Sequence, residues 1–270
     1  MQSLKNLKSS TLSAHHRYMI MGVEGVGKST LASGANKPLW LDVEDGAGQI
    51  DVARVPFPEG HATKFSQVLE ALDAVLTQEH DFKTLVIDTV DRLEALLWQH
   101  CCENSDKYVD KKSTGMTIHT IEGFGYGKGY IVALSLWREL ACKLDMIRRK
   151  RKMTIILIAH THIKSFRNPE GDDFDRYIPR LNEKAGSFLK SWCDVVAFMR
   201  FDEGSSKLMG EQRAKGYNTG RRFVYTRRRA AFDAKSRLPL DEEIEIKGAD
   251  SWVYLTGATG TAKEIESNPF

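Results

Sequence analysis

Arg17–Ser33 reads RYMIMGVEGVGKSTLAS, and this stretch decides the fold. Arg17–Met21 is a short apolar strand that runs directly into Gly22-Val23-Glu24-Gly25-Val26-Gly27-Lys28-Ser29, a full G-x-x-x-x-G-K-[ST] motif. Thr30-Leu31-Ala32-Ser33 then continues as a helix, so the motif lies in the strand–loop–helix setting its chemistry needs. Glycines allow successive backbone N–H groups to close around an anion. Gly22 through Thr30 are therefore the expected nucleotide-binding residues, with Lys28 reaching the β- and γ-phosphates of ATP and the Ser29 hydroxyl ligating Mg²⁺.

Working outward, strand-like and helix-like segments alternate. Pro38–Val43 is a second strand, and Phe65, Val68, Leu69, Leu72, Val75 and Leu76 show the i, i+3, i+4 spacing of an amphipathic helix. Leu85-Val86-Ile87-Asp88 is a short apolar strand, followed by a helix marked by Leu93, Leu96, Leu97 and Cys101. A longer helix runs through Leu134, Trp137, Leu140, Leu144 and Ile147 into the basic run Arg148–Lys152. Thr154–Ala159 (TIILIA) is apolar without alternation, which implies burial on both faces of a sheet. Asp194–Phe201, Arg222–Thr226 and Glu243–Ile246 are strands with no helices between them. The expectation is an α/β fold, a mostly parallel central sheet flanked by helices, with a C-terminal antiparallel extension. Residues 1–14 are expected to be a flexible N-terminus, 15–240 the core, and 241–270 C-terminal strands and tail.

A phosphate loop requires a carboxylate at the end of a neighbouring strand for Mg²⁺ or its water. Asp88 is best placed for this, and it also suits the cap of the helix that follows. Asp42 and Glu44 form a competing pair, two apart on an extended segment and so expected on one face. Glu44 is the candidate base for the attacking water, and a solvated acidic turn is the plain alternative.

The order GVEGVGKST, WLDVEDG, LVIDTVD resembles the RecA-core P-loop ATPases. It looks most like the phage-encoded, recombinase-like single-strand annealing type, over about residues 17–240. The resemblance implies Mg²⁺-dependent ATP hydrolysis with Glu44 as the catalytic glutamate. It also implies that His160, directly after Ile155–Ala159, senses the γ-phosphate where the family more often carries Asn or Gln. His160 and His162 share a strand face, but no acidic or Cys residue sits at ligand spacing in the sequence, which argues against a metal site. Lys235-Ser236-Arg237 is similar to the K-x-R element that such proteins insert into a neighbour's active site, so Lys235 and Arg237 are candidate catalytic cations acting between subunits. A basic surface turn before Pro239 is the plain alternative.

The implied partner is single-stranded DNA, with self-association into a ring or filament, in the cytoplasm of a bacterial host, and a phage or host single-strand binding protein as a further candidate. Three segments could meet DNA. Glu122–Tyr130 alternates glycines and aromatics, and Ile163–Lys190 mixes cations with Phe166, Phe174 and Tyr177 in a stretch too long for a simple connection. Arg221, Arg222 and Arg227–Arg229 flank a strand. A hinge, a disordered lid and a solvated sheet edge are the respective alternatives. Other functions that the loop permits are a small-molecule kinase, a helicase-type motor or a loading factor.

Composition excludes less than it first implies. The 270 residues carry 39 Lys and Arg against 36 Asp and Glu, a net charge of +3. Residues 200–237 hold 11 basic and 4 acidic side chains, leaving 28 against 32 elsewhere. That asymmetry suits a phosphate-backbone partner. The four cysteines (Cys101, Cys102, Cys142, Cys193) have no framework spacing and fit a reducing compartment. No apolar run is long enough for a membrane span or a secretory signal.

Overall fold

A computed structural model describes residues 15–46, 48–109, 118–206 and 215–257. The expected flexible N-terminus, residues 1–14, and the tail beyond 257 lie outside them. One mixed sheet organises the chain. Six strands run parallel in the order β3 (Ala53–Arg54), β2 (Pro38–Asp42), β4 (Thr84–Asp88), β5 (Thr154–Phe166), β1 (Arg17–Gly22) and β7 (Val195–Ser206). Beyond β7 the sheet turns antiparallel through β8 (Lys215–Tyr225) and β10 (Glu243–Glu245). β9 (Lys235–Ser236) pairs with the start of β7, and β6 (Phe174–Pro179) folds back on the far half of β5.

The unalternated apolar strands are explained by two cores. Ile155, Leu157 and Ala159 of β5 and Met19 and Met21 of β1 face one side of the sheet, where α2 (Phe65–Thr77), α3 (Val90–Glu103), α4 (Lys128–Lys150) and α5 (Glu183–Trp192) pack. Ile156, Ile158, Tyr18 and Ile20 face the other side, covered by the short α1 (Lys28–Ser33) and a 3-10 turn over Ala249–Leu255. Successive strand residues point to opposite faces, so a strand between two apolar layers needs apolar residues at every position. Trp252 from that turn meets the Tyr18 ring edge-on with centroids 5.0 Å apart. The last described segment therefore closes the same core, and β10 extends the same sheet.

Two expectations are corrected. Ile163–Lys190 is neither a lid nor a disordered connection. β5 continues to Phe166, turns, and pairs in register with β6 (Phe166 opposite Phe174, Lys164 opposite Arg176), after which α5 begins. The shared face of Asp42 and Glu44 is also absent. Val43 N–H and Glu44 N–H both donate to the Asp88 carbonyl, which ends the strand's alternation at Asp42.

The four cysteines are free thiols, and burial pushes Cys101 and Cys193 up to about 12. No described helix is long and apolar enough to cross a membrane.

Candidate nucleotide site

The phosphate loop sits where the carboxyl ends of β1, β4 and β5 meet. Its first glycine is required by packing, because a Cβ at Gly22 would lie 2.2 Å from the Met199 carbonyl oxygen of β7. Its last is required by conformation, because Gly27 has φ +96°, a left-handed value unfavourable to side chains. From Gly27 the chain enters α1, and Val26, Leu31 and Ala32 anchor loop and helix in the core.

Lys28 is buried, and its ammonium donates to the carbonyls of Val23 (2.8 Å) and Gly22 (3.2 Å). Burial lowers its pKa, while the carboxylates of Asp88, Asp91, Glu24 and Glu44 oppose that effect. Ser29 Oγ donates to Asp88 Oδ2 at 2.7 Å. Asp88 is itself buried, and burial raises its pKa even though the Ser29 bond favours the charged form. No Lys or Arg lies in ion-pair distance of this carboxylate among the described residues. A hydroxyl and a buried carboxylate without a cationic side chain make an oxygen donor set that fits a hard divalent ion such as Mg²⁺.

Around this pair lies a cavity of about 350 Å³, lined by Gly25, Gly27, Lys28, Ser29, Thr30, Glu44, Asp88, Thr89 and His160 among others. Residues from four separate motifs of the sequence thus converge on one space. Glu44 Oε2 accepts from Thr89 Oγ1 at 3.0 Å and lies 4.0 Å from His160 Nδ1. His160 is aligned with Gly22 in the β1–β5 register and is held twice by Asp91. Its backbone N–H donates to Asp91 Oδ1 and its Nδ1 lies against Oδ2, both at 3.0 Å. Burial alone would raise the Asp91 pKa, but the two bonds from His160 hold it below the ordinary carboxylate range.

Asp91 was not among the sequence candidates. It stands in the first turn of α3, three residues after Asp88, and its spacing alone gives no sign of a partner 69 residues away. The sequence argument against acidic neighbours for His160 also fails in space, since ligand atoms of Glu44, Asp91 and His160 lie within 4.8 Å of one another. The His160 ring is committed to Asp91, which explains that cluster without an ion. Asp42 leaves the site altogether. Its carboxylate pairs with Arg54 Nη1 at 2.7 Å, an arginine from β3 that sequence reasoning did not single out.

The Lys235–Arg237 segment is not brought to the phosphate loop of its own chain. It pairs with Val195 and Val196 at the beginning of β7, three to four residues before Met199, which neighbours Gly22. Arg237 Nη1 donates to Asp194 Oδ1 at 2.8 Å, and Lys235 Nζ donates to the Ser191 carbonyl. Burial raises the Asp194 pKa, but bonds from Arg17 and Arg237 outweigh it and hold this carboxyl well below the usual range.

The basic C-terminal sheet is largely neutralised. Arg221 pairs with Asp202, Arg227 with Glu242, Arg229 with Glu243, and Arg228 lies 3.7 Å from Asp233. In Glu122–Tyr130, Phe124 is buried, Tyr130 donates to Glu122, and Tyr126 is fully exposed. The β5–β6 hairpin carries Lys164 paired with Glu183, exposed Ile163, and Phe166 and Phe174 with ring centroids 5.3 Å apart. Arg180, just beyond β6, reaches back to the phosphate loop and pairs with Glu24 at 3.0 Å.

A phosphate loop, its lysine, a hydroxyl–carboxylate pair and a facing glutamate at the carboxyl edge of a parallel sheet define a P-loop nucleotide-binding protein of the ATPase class. The chain belongs to the AAA domain family, which it matches over residues 14–238. No curated protein matches the sequence. Among solved structures, the crystal structure of the RadB recombinase is similar, with a TM-score of 0.40 and 16% identity over 80% of this chain and 82% of that chain.

Proposed function

We propose that this chain is an Mg²⁺-dependent ATPase that acts on single-stranded DNA in phage-type recombination or annealing, as a ring or filament in the cytoplasm of a bacterial host. The observation that carries the reading is the convergence of Lys28, Ser29, Asp88, Glu44 and His160 on one cavity. Backbone N–H groups of Gly22–Thr30 bind the phosphates, and Lys28 adds charge to their distal end. Ser29 and Asp88 would hold Mg²⁺, and the ion would supply charge neutralisation at the phosphates. Glu44, oriented by Thr89, takes the proton of the attacking water, and His160 stands beside it on the strand that continues into the β5–β6 hairpin.

That continuity supports a DNA reading. A strand running from the phosphate side to an exposed hairpin with Lys164, Phe166 and Arg167 joins the nucleotide site to groups suited to backbone contact and base stacking. Lys235 and Arg237 are engaged by Ser191 and Asp194 just before β7 and not by their own loop, so in this reading they act on a neighbouring copy. The test is the ATPase rate with and without single-stranded DNA, repeated across salt. Stimulation by DNA that weakens as salt rises is expected. Hydrolysis with no stimulation and no DNA binding at low salt would favour a small-molecule kinase or a loading factor.

A further inference from the structure

Arg222 stands apart from the other arginines around β8. Arg221, Arg227, Arg228 and Arg229 each face a carboxylate. Arg222 has no ion pair or side-chain hydrogen bond among the described residues, although it is partly buried. Its direction follows from register. Phe201 of β7 lies opposite Arg222, and Met199 lies opposite Val224. Val224 and Met199 are buried on the α1 face of the sheet with Val26 and Leu31, so Arg222, two residues before Val224, projects on that same face. Since Met199 is aligned with Gly22, the last residue of β1, Arg222 emerges just past the strand end, level with the phosphate loop. There its guanidinium covers Gly27. A Cβ on Gly27 would lie 2.5 Å from Arg222 Nη1 and 3.6 Å from Cζ.

A guanidinium lying over the backbone of a phosphate loop with no carboxylate partner is free to pair with an anion held there. The neighbouring element is a loop whose residue pattern binds polyphosphate. We propose that Arg222 is a nucleotide-contacting residue, reaching from β8 across Gly27 to the phosphate chain held by the loop of the same subunit. This rests on the phosphate loop binding a nucleotide. Lys28 lies within the loop, with its ammonium on the Val23 and Gly22 carbonyls, and Arg222 supplies a second cation from the β8 side. Its planar fork suits two phosphate oxygens where a lysine would offer a single point charge. Because the contact is within one chain, it serves nucleotide affinity without assembly, unlike anything Lys235 and Arg237 contribute from a neighbour.

The test is titration of the full chain with ADP and with ATP, comparing wild type, Arg222→Ala, Arg222→Lys and Arg221→Ala. Arg222→Ala is expected to weaken both nucleotides by about ten- to a hundredfold, the range of a lost charged hydrogen bond. Arg222→Lys should recover part of the loss, and Arg221→Ala should bind as wild type. The nucleotide-free melting temperature of Arg222→Lys should match wild type, whereas its stabilisation by ADP should be smaller. If Arg222→Ala does not fold, Arg222→Lys and Arg222→Gln carry the same comparison. Wild-type affinity in folded Arg222 variants would overturn the proposal alone. Failure of wild type to bind either nucleotide would overturn the phosphate-loop reading and this one with it.

Discussion

Glu94 offers a test in which a single buried carboxyl sets a measurable pH dependence. It lies one turn beyond Asp91 on α3 and is 4% exposed. Its Oε2 accepts the Asn182 N–H at 2.8 Å, while Oε1 has no hydrogen-bond partner and no cation lies in ion-pair distance among the described residues. Burial penalises the charged form, the Asp91 carboxylate adds to this, and the pKa is pushed up from 4.5 to about 7. A carboxyl with a raised folded-state pKa stabilises fully below its unfolded value, and that contribution is lost as pH rises through the folded value. Between pH 5 and pH 8 the folded state therefore loses about 2.5 kcal/mol through this group. Urea unfolding of wild type and Glu94→Gln at several pH values across that range isolates the effect. Any offset from the amide itself is independent of pH, so the readout is the slope. Glu94→Gln should remove about 2.5 kcal/mol of the wild-type decline. Parallel curves, within about 0.5 kcal/mol, would show that Glu94 does not stay protonated in the folded protein.

Three further outcomes are expected. Lys28→Ala should abolish nucleotide binding, whereas Glu44→Gln should bind nucleotide and hydrolyse it about 10²- to 10⁴-fold more slowly; hydrolysis at the wild-type rate would remove Glu44 as the base. Asp91→Ala leaves the His160 N–H without its acceptor and frees the ring, so urea unfolding should show a loss of about 2–4 kcal/mol. No loss of stability would mean that the His160 contacts contribute nothing to the fold. Mixing Lys28→Ala with Arg237→Ala subunits should recover part of the ATPase activity if Arg237 acts on a neighbour's site; no recovery from folded, assembling variants would confine Arg237 to its pair with Asp194.

What could be read from the chain depended on how local each signal was. The phosphate loop is eight contiguous residues whose conformation is fixed by their own types, so it was fully legible. The unalternated TIILIA run declared a strand covered on both faces, and Ile155 and Ile156 do enter opposite cores. The β5–β6 hairpin was missed because charged and aromatic residues obscured its alternation, although Asn168-Pro169-Glu170-Gly171 marks the turn between Phe166 and Phe174. The basic C-terminal sheet was overstated for a related reason. A window ending at residue 237 leaves out Glu242 and Glu243, which β10 and its approach bring back against Arg227 and Arg229. The pairing of Asp91 with His160 depends on the neighbouring positions of α3 and β5, which no local pattern reports.

The acidic residues around the loop are separated by environment, and this is the strongest ground for choosing among them. A general base needs a lone pair that faces the reacting water and is not already engaged. Asp42 is tied to Arg54, with its side chain 5% exposed. Asp88 is buried, and its Oδ2 accepts from Ser29 Oγ. Both oxygens of Asp91 are occupied by His160, with that side chain 8% exposed. Glu44 alone combines contact with the cavity, a side chain 39% exposed, and a single orienting bond from Thr89. The four carboxylates thus have four different partners, with Asp42 drawn out of the site altogether, and on those grounds we propose Glu44 as the group that moves a proton. The two neighbours should therefore respond differently to substitution. Replacing Asp91 should disturb His160 and folding first, whereas replacing Glu44, which holds nothing else in place, should affect turnover with little change in stability.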